Sequence, residues 1–353
     1  MDDPTASALA PIRLALLGAA GLAGEAVVRL LDERKFPAAT LTLLGGGKAL
    51  GRHLEFRGEE LGLTDLASVD FSQIDLLISV ASSKVAAEWL PRARAAGCAV
   101  VDSSAAFRGR ADVPLVMPGV NDGALQLASG RAAPWAAVPG AFVGPLARVL
   151  APLHALGGLR TLEITGLAAV SGAGRGAVEE LAGQTVRMLN GMDAGEPRLL
   201  QRRMAFNVIP TVDDLDDLGS GTGQGTQEAE LEPELQRLLG VPALAVNATL
   251  VRVPVFFGHS WVVAARFRAP VTPAAAAAAL ADLPGVFLSP DPSLGYPTPV
   301  TEAADQNGLY VGRIRADTTS VNGLNFWLVA DNIRAGVALP CVQLAEAMLA
   351  HRW

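Results

Sequence analysis

Few side chains in this sequence can do acid–base or nucleophilic chemistry. The 353 residues contain two cysteines and four histidines. Cys98 and Cys341 lie far apart in a long chain, which is no disulfide framework. Cys341 reads as a small buried hydrophobe rather than a nucleophile. His53, His154, His259 and His351 show no metal-ligand spacing, so no metal is expected. His259 falls in a strand-like segment, where a histidine is either a proton-transfer group or a satisfied structural residue. One further stretch can hold a ligand. Gly18-Ala19-Ala20-Gly21-Leu22-Ala23-Gly24 has the glycine spacing of a loop that cradles a pyrophosphate.

The flanks of that loop make the reading credible. Ile12 to Leu17 is a short apolar run, best read as a buried parallel strand. After the loop, Glu25 to Glu33 places Val27, Val28, Leu30 and Leu31 at helical spacing. Gly18 permits the tight turn, Gly21 lets backbone N–H groups approach an anion, and Gly24 allows close packing of helix on strand. The helix N-terminus faces the anion. Candidate cofactor contacts are therefore Gly18, Ala20, Gly21, Leu22, Ala23 and Gly24. The bland alternative is a strand–turn–helix with packing glycines.

A second strand over 40–44 ends at Gly45-Gly46-Gly47-Lys48 without the acidic residue that would bind the ribose of NAD. Lys48 suits the 2′-phosphate of NADP, and equally suits a solvated loop. Strands are expected over 75–80 and 99–101, with a helix over 84–96 between them. This alternation argues for a doubly wound parallel α/β sheet.

Half the residues are hydrophobic, enough for two packed domains. The net charge of −7 comes with no basic stripe, so no nucleic-acid partner is expected. No apolar run reaches membrane-spanning length. The acidic start Met1-Asp2-Asp3-Pro4 lacks the positive region of a secretory signal. The expected location is a reduced cytoplasm.

Longer motifs carry a specific resemblance. Val101-Asp102-Ser103-Ser104-Ala105-Ala106-Phe107-Arg108 is followed by Val113-Pro114-Leu115-Val116-Met117-Pro118-Gly119-Val120-Asn121. Further on come Pro139-Gly140-Ala141-Phe142-Val143, Ala168-Ala169-Val170-Ser171-Gly172-Ala173-Gly174 and Ala205-Phe206-Asn207-Val208-Ile209-Pro210. Arg252-Val253-Pro254-Val255-Phe256-Phe257-Gly258-His259-Ser260 and Trp327-Leu328-Val329-Ala330-Asp331-Asn332-Ile333-Arg334 complete the set. In this order and spacing they resemble the aspartate-semialdehyde dehydrogenase family, in a divergent, Usg-like form.

The resemblance implies a Rossmann-type nucleotide domain over 1–140, completed by a C-terminal helix over 331–353. It implies an α+β substrate and dimerisation domain over 141–330, with helices on one sheet face and a homodimer on the other. The family reaction is NADPH-dependent reduction of an acyl phosphate to a semialdehyde through a Cys thioester. By resemblance, Arg108 binds phosphate, Arg252 binds the substrate carboxylate, His259 is the acid/base, and Ser171 and Gly172 approach NADP (or NAD). The nucleophile position is Ala141, where a methyl group cannot attack a carbonyl.

Other family positions change too. The substrate Gln falls on Ala168, a cofactor amide on Pro340, and an E-x-x-K pair on Gln227 and Glu230. In the family that Glu binds the substrate ammonium. The acidic run from Asp213 to Asp217 is expected to be a solvated loop. The expectation is a dimeric homologue with impaired catalysis that still holds a small-molecule ligand. The alternatives are an oxidoreductase acting on another aldehyde or acyl substrate, and a non-catalytic dimeric protein that binds a partner.

Overall fold

The computed structural model describes residues 10–127, 134–213, 223–289 and 295–350, with Lys48 described by its backbone alone. Contacts divide the chain after Gly140 and again after Gly336, giving two compact units. The first comprises the residues before Ala141 and after Gly336, and the second runs from Ala141 to Gly336.

The first unit runs β1 (Ile12–Leu17), α1 (Leu22–Glu33), β2 (Ala38–Gly45), β3 (His53–Phe56), β4 (Glu59–Asp65), β5 (Leu76–Ser79), α2 (Ser83–Ala95), β6 (Ala99–Asp102), α3 (Ala105–Arg108) and β7 (Trp135–Ala137). The sheet order is β3-β4-β2-β1-β5-β6-β7. All pairings are parallel except β3 with β4. The central strands form because their apolar runs are buried on both faces, as in Leu76-Leu77-Ile78 and Ala99-Val100-Val101. Strand order departs in opposite directions on either side of β1. The glycine loop leaves the carboxyl end of β1 at this switch point, the position where such sheets bind ligands.

The antiparallel β3–β4 hairpin is not visible in the apolar pattern, because most of its residues are exposed and polar. Its two-residue turn, Arg57-Gly58, has positive φ at both positions, the conformation that matches strand twist in a tight hairpin. Arg57 donates to the carbonyl oxygens of Phe36 and Ala38, which ties the hairpin to the entry of β2.

The second unit contains α4 (Gly144–Gly157), β8 (Leu159–Ala168), α5 (Arg175–Leu189), α6 (Thr226–Leu239), β9 (Ala245–Arg252), β10 (His259–Phe267), α7 (Pro273–Ala281), β11 (Val286–Ser289), β12 (Leu309–Ala316) and β13 (Gly323–Ala330). Its sheet order is β11-β12-β13-β10-β8-β9. Helix α8 (Leu339–Ala350) belongs to the first unit, where it packs on α1 and Arg34 pairs with Glu346 at 2.6 Å.

Period-two alternation shapes the second sheet. Along β10, Trp261, Val263, Ala265 and Phe267 are buried, while Val262 is 43% exposed. Leu162, Ile164, Leu324, Phe326 and Leu328 join the buried face. Thr165 and Trp327, the register partners of Val262, share its open face. Phe326→Ala should remove about 3–5 kcal/mol of stability through cavity formation, read as a lower midpoint in urea denaturation followed by circular dichroism.

Candidate functional site

In the first unit, sterics confirm the need for glycine at two loop positions. Gly18 has φ +91°, and a Cβ there would come within 2.9 Å of the Val80 and Ala81 backbone. A Cβ on Gly24 would lie 2.4 Å from the Gly18 carbonyl oxygen. Gly21 caps α1 without a side chain, so the first-turn N–H groups of Leu22, Ala23 and Gly24 keep the geometry of an anion cradle. Arg52 braces this loop from outside. Its guanidinium donates to the Ala20 carbonyl oxygen at 2.7 Å and pairs with Glu25 at 2.8 Å. The Lys48 side chain lies outside the described part of the structure.

Arg108 ends the one-turn helix α3, and its guanidinium donates to the Ser103 carbonyl oxygen. The approach is fixed by Asp102, whose carboxylate accepts from the Ser104 amide at 3.1 Å and hydroxyl at 2.7 Å. Burial pushes the Asp102 carboxyl up, with the Ser104 bonds and Arg108 acting in the opposite direction. Cys341 is fully buried in α8, and burial raises its thiol strongly. Cys98 is also buried, with its thiol pushed up to about 11. Neither provides a thiolate near neutral pH.

In the second unit the structure brings Gly172 and Arg252 to His259, and Phe142, the chain neighbour of Ala141, stacks on its ring. His259 opens β10 and is 2% exposed. The Ala169 amide donates to its Nδ1 at 3.1 Å, so the neutral ring carries its proton on Nε2. Phe142 stacks on the imidazole with centroids 4.2 Å apart and an interplanar angle of 16°. Trp261 meets both rings edge-on. Gly172 lies against the Cε1–Nε2 edge, where an added methyl would approach within 3.3 Å. Burial, followed by the positive charge of Arg252, lowers the His259 pKa to about 3. Ala141 is partly buried and faces Gly336.

Asn332 holds this arrangement together. Its Oδ1 accepts from the Ser171 hydroxyl and from the Gly258 amide, each at 3.0 Å. The turn carrying Gly172 is thereby joined to the turn leading into His259. The Ser171 hydroxyl, expected to approach a cofactor, is buried and engaged with Asn332.

Next to this centre is a cavity of about 360 Å³, lined by Gly172, Gln201, Thr211, Asp213, Gln227 and Arg252 among others. Arg252 is 7% exposed and donates to the Val212 carbonyl oxygen at 2.6 Å. Asp213 corrects the reading of the acidic run as a solvated loop: it is 8% exposed and its carboxylate accepts from Gln227. Residues 214–222, including the rest of that run, lie outside the described residues. Among the described residues no His, Cys, Asp and Glu cluster could hold a metal.

With the geometry in place, comparison with known proteins decides the family. Residues 13–128 match the family described as "Semialdehyde dehydrogenase, NAD binding domain", and residues 150–335 match "Semialdehyde dehydrogenase, dimerisation domain". The chain belongs to the semialdehyde dehydrogenase family. It is 36% identical over 334 residues to an aspartate-semialdehyde dehydrogenase of a Shewanella species, covering 95% of this chain and 96% of that protein. It is 39% identical over 341 residues to a USG-1 protein homolog of Pseudomonas aeruginosa, covering 97% of this chain and 98% of that protein. A solved structure of aspartate semialdehyde dehydrogenase II from Vibrio cholerae, complexed with ASA, superposes with a TM-score of 0.92. That match is 33% identical and covers 97% of this chain and 99% of the other. The expected Rossmann-type sheet with an α+β dimerisation domain is therefore established.

Membership in the semialdehyde dehydrogenase family did not reveal Arg52, Phe142, Asp213 or Asn332 as site residues. Asn332 stood in a recognised motif, and Phe142 stood beside Ala141. Two measurements test the geometry. Nitrogen-15 NMR should find His259 neutral, as the Nε2–H tautomer, between pH 8 and pH 5. Its folded pKa is about 3 against 6.5 for the free side chain, so its effect on stability is absent above about pH 6.5. Stability should then fall progressively as the pH drops toward 3, because only the unfolded chain takes up the proton. Gly24→Ala should disrupt the glycine loop and weaken NADP binding about tenfold or more in a calorimetric titration, the loss of about one good hydrogen bond to a charged group.

Proposed function

We propose that this chain is a family member that retains the nucleotide cradle and an amino-acid-sized cavity but does not form a thioester. The observation that carries this reading is the composition of the centre: Ala141 where the family resemblance places the nucleophile, beside Phe142 stacked on a neutral His259. Two features of the centre act together. A methyl offers no lone pair for acyl transfer. An imidazole that stays neutral and already accepts a hydrogen bond at Nδ1 cannot readily take a thiol proton and hold a thiolate beside it.

The glycine loop fits a nicotinamide dinucleotide, with the first-turn N–H groups of α1 toward the pyrophosphate and Arg52 bracing the loop. When bound, that cofactor supplies or accepts hydride. Lys48 would favour NADP, with NAD as the alternative. Arg108 and Arg252 are assigned as anion anchors, for phosphate and for a carboxylate respectively. The open face of the second sheet, with Val262 and Trp327, is assigned to a homodimer. This agrees with the match to the family's dimerisation domain. A cytoplasmic location goes with this reading; no helix among the described residues is long and apolar enough to cross a membrane.

The test is a phosphate-dependent dehydrogenase assay on aspartate semialdehyde with NADP. The unmodified chain should show no turnover above background. Ala141→Cys alone should remain near background, because a neutral His259 leaves the new thiol largely protonated at pH 7. Ala141→Cys combined with Phe142→Ser, which uncovers the imidazole, should increase both iodoacetamide labelling and turnover. Turnover by the unmodified chain would defeat the proposal. High activity of Ala141→Cys alone would show that Phe142 has no part in the silencing.

A further inference from the structure

Among the described residues the second sheet ends in β11 on one side and β9 on the other. An outer strand presents backbone groups on which another chain can add a strand, and proteins blunt such edges with short strands, charged side chains or proline. β11 is only four residues long, which is protection in itself. β9 spans eight residues, and Val246-Asn247-Ala248-Thr249-Leu250-Val251 within it carries no charge, no proline and no glycine. A segment of that composition on a sheet edge favours edge-to-edge pairing.

The edge of β9 is covered from α6 instead. Glu228, Glu232 and Gln236 recur every fourth residue and so share one helix face. Glu228 Oε1 accepts from the Leu250 amide at 2.7 Å, and Glu232 Oε2 accepts from the Val246 amide at 2.8 Å. Gln236 Nε2 donates to the Leu244 carbonyl oxygen at 2.8 Å. The row runs antiparallel to the strand and bonds its backbone as a neighbouring strand would. Buried Leu231, Leu235 and Leu238 anchor the helix behind it. The other oxygen of Glu228 accepts from the Gly225 amide at 3.0 Å, which fixes that carboxylate. Beyond the row, the Arg252 amide donates to the Ile209 carbonyl oxygen at 2.8 Å and the Ile209 amide to that of Arg252 at 3.0 Å. This exchange closes the carboxyl end of the edge.

We propose that the Glu228–Glu232–Gln236 row is a clasp that occupies the β9 edge in place of a further strand and keeps a second copy of the chain from adding its own β9 there. The occupant held off is a second copy because two uncharged β9 segments would meet without charge conflict. Amide bonds to a carboxylate are the strong kind. An arriving strand would have to break both of them and set its own carbonyl oxygens beside the displaced carboxylates. None of these contacts involves Ala141 or His259, so the clasp is independent of the catalytic reading.

Hydrogen exchange and sedimentation of the full chain test the proposal. In the unmodified chain the Val246 and Leu250 amides should exchange as slowly as the sheet-bonded amides of β8. Glu228→Ala with Glu232→Ala should speed exchange at both amides by about tenfold or more, the scale of one bond to a charged group. That variant should also sediment as assemblies larger than those of the unmodified chain at equal concentration. Adding Val246→Pro removes an outward N–H and should reduce the assembly, whereas aggregation from general unfolding would not be relieved. Glu228→Gln with Glu232→Gln keeps an acceptor oxygen at each position and should sediment as the unmodified chain does. Rapid exchange of the two amides in the unmodified chain would overturn the clasp, and that measurement needs no variant to fold. Unchanged sedimentation of a folded alanine pair, assembly that Val246→Pro does not relieve, or equal assembly by the glutamine pair would each overturn it as well.

Discussion

The amide of Ala169 donates to Nδ1 of His259, and this hydrogen bond sets the character of the second unit's centre. It fixes the ring orientation and places the proton of the neutral ring on Nε2. Phe142 covers one face of the ring, Trp261 closes an edge, and Gly172 permits close approach at another. Once the ring is enclosed in this way, burial and Arg252 both oppose its protonation. A histidine that could titrate in solution becomes a neutral, aromatic part of the wall. Asn332 extends the constraint by tying the turns on either side to one carboxamide oxygen.

The first unit and the second have different relations to the family chemistry. In the first, Gly18 and Gly24 occupy positions where any Cβ would collide with backbone, so the phosphate-cradling turn is retained as geometry. In the second, Arg252 and Asp213 are buried and line one cavity, and residue 141 carries only a methyl.

Much of the nucleotide half was legible in the sequence. The strands there are buried on both faces and read as plain apolar runs, and the glycine spacing is imposed by sterics. The β3–β4 hairpin escaped notice because its exposed, polar residues carry no apolar signal. The second unit's sheet was harder to read, since β8 and β9 mix polar and apolar residues on a half-open surface. Phe142 and Asp213 were hidden for another reason. Each gains its role from a contact between segments distant in sequence, and Asp213 heads an acidic run that by composition reads as solvated. The absence of sulfur at position 141, by contrast, is a matter of sequence alone.

Intact-protein mass spectrometry after incubation with aspartate semialdehyde, NADP and an acid quench tests the central claim most directly. The account predicts a single species at the mass of the unmodified polypeptide. A covalent acyl adduct on any residue of this chain would contradict it.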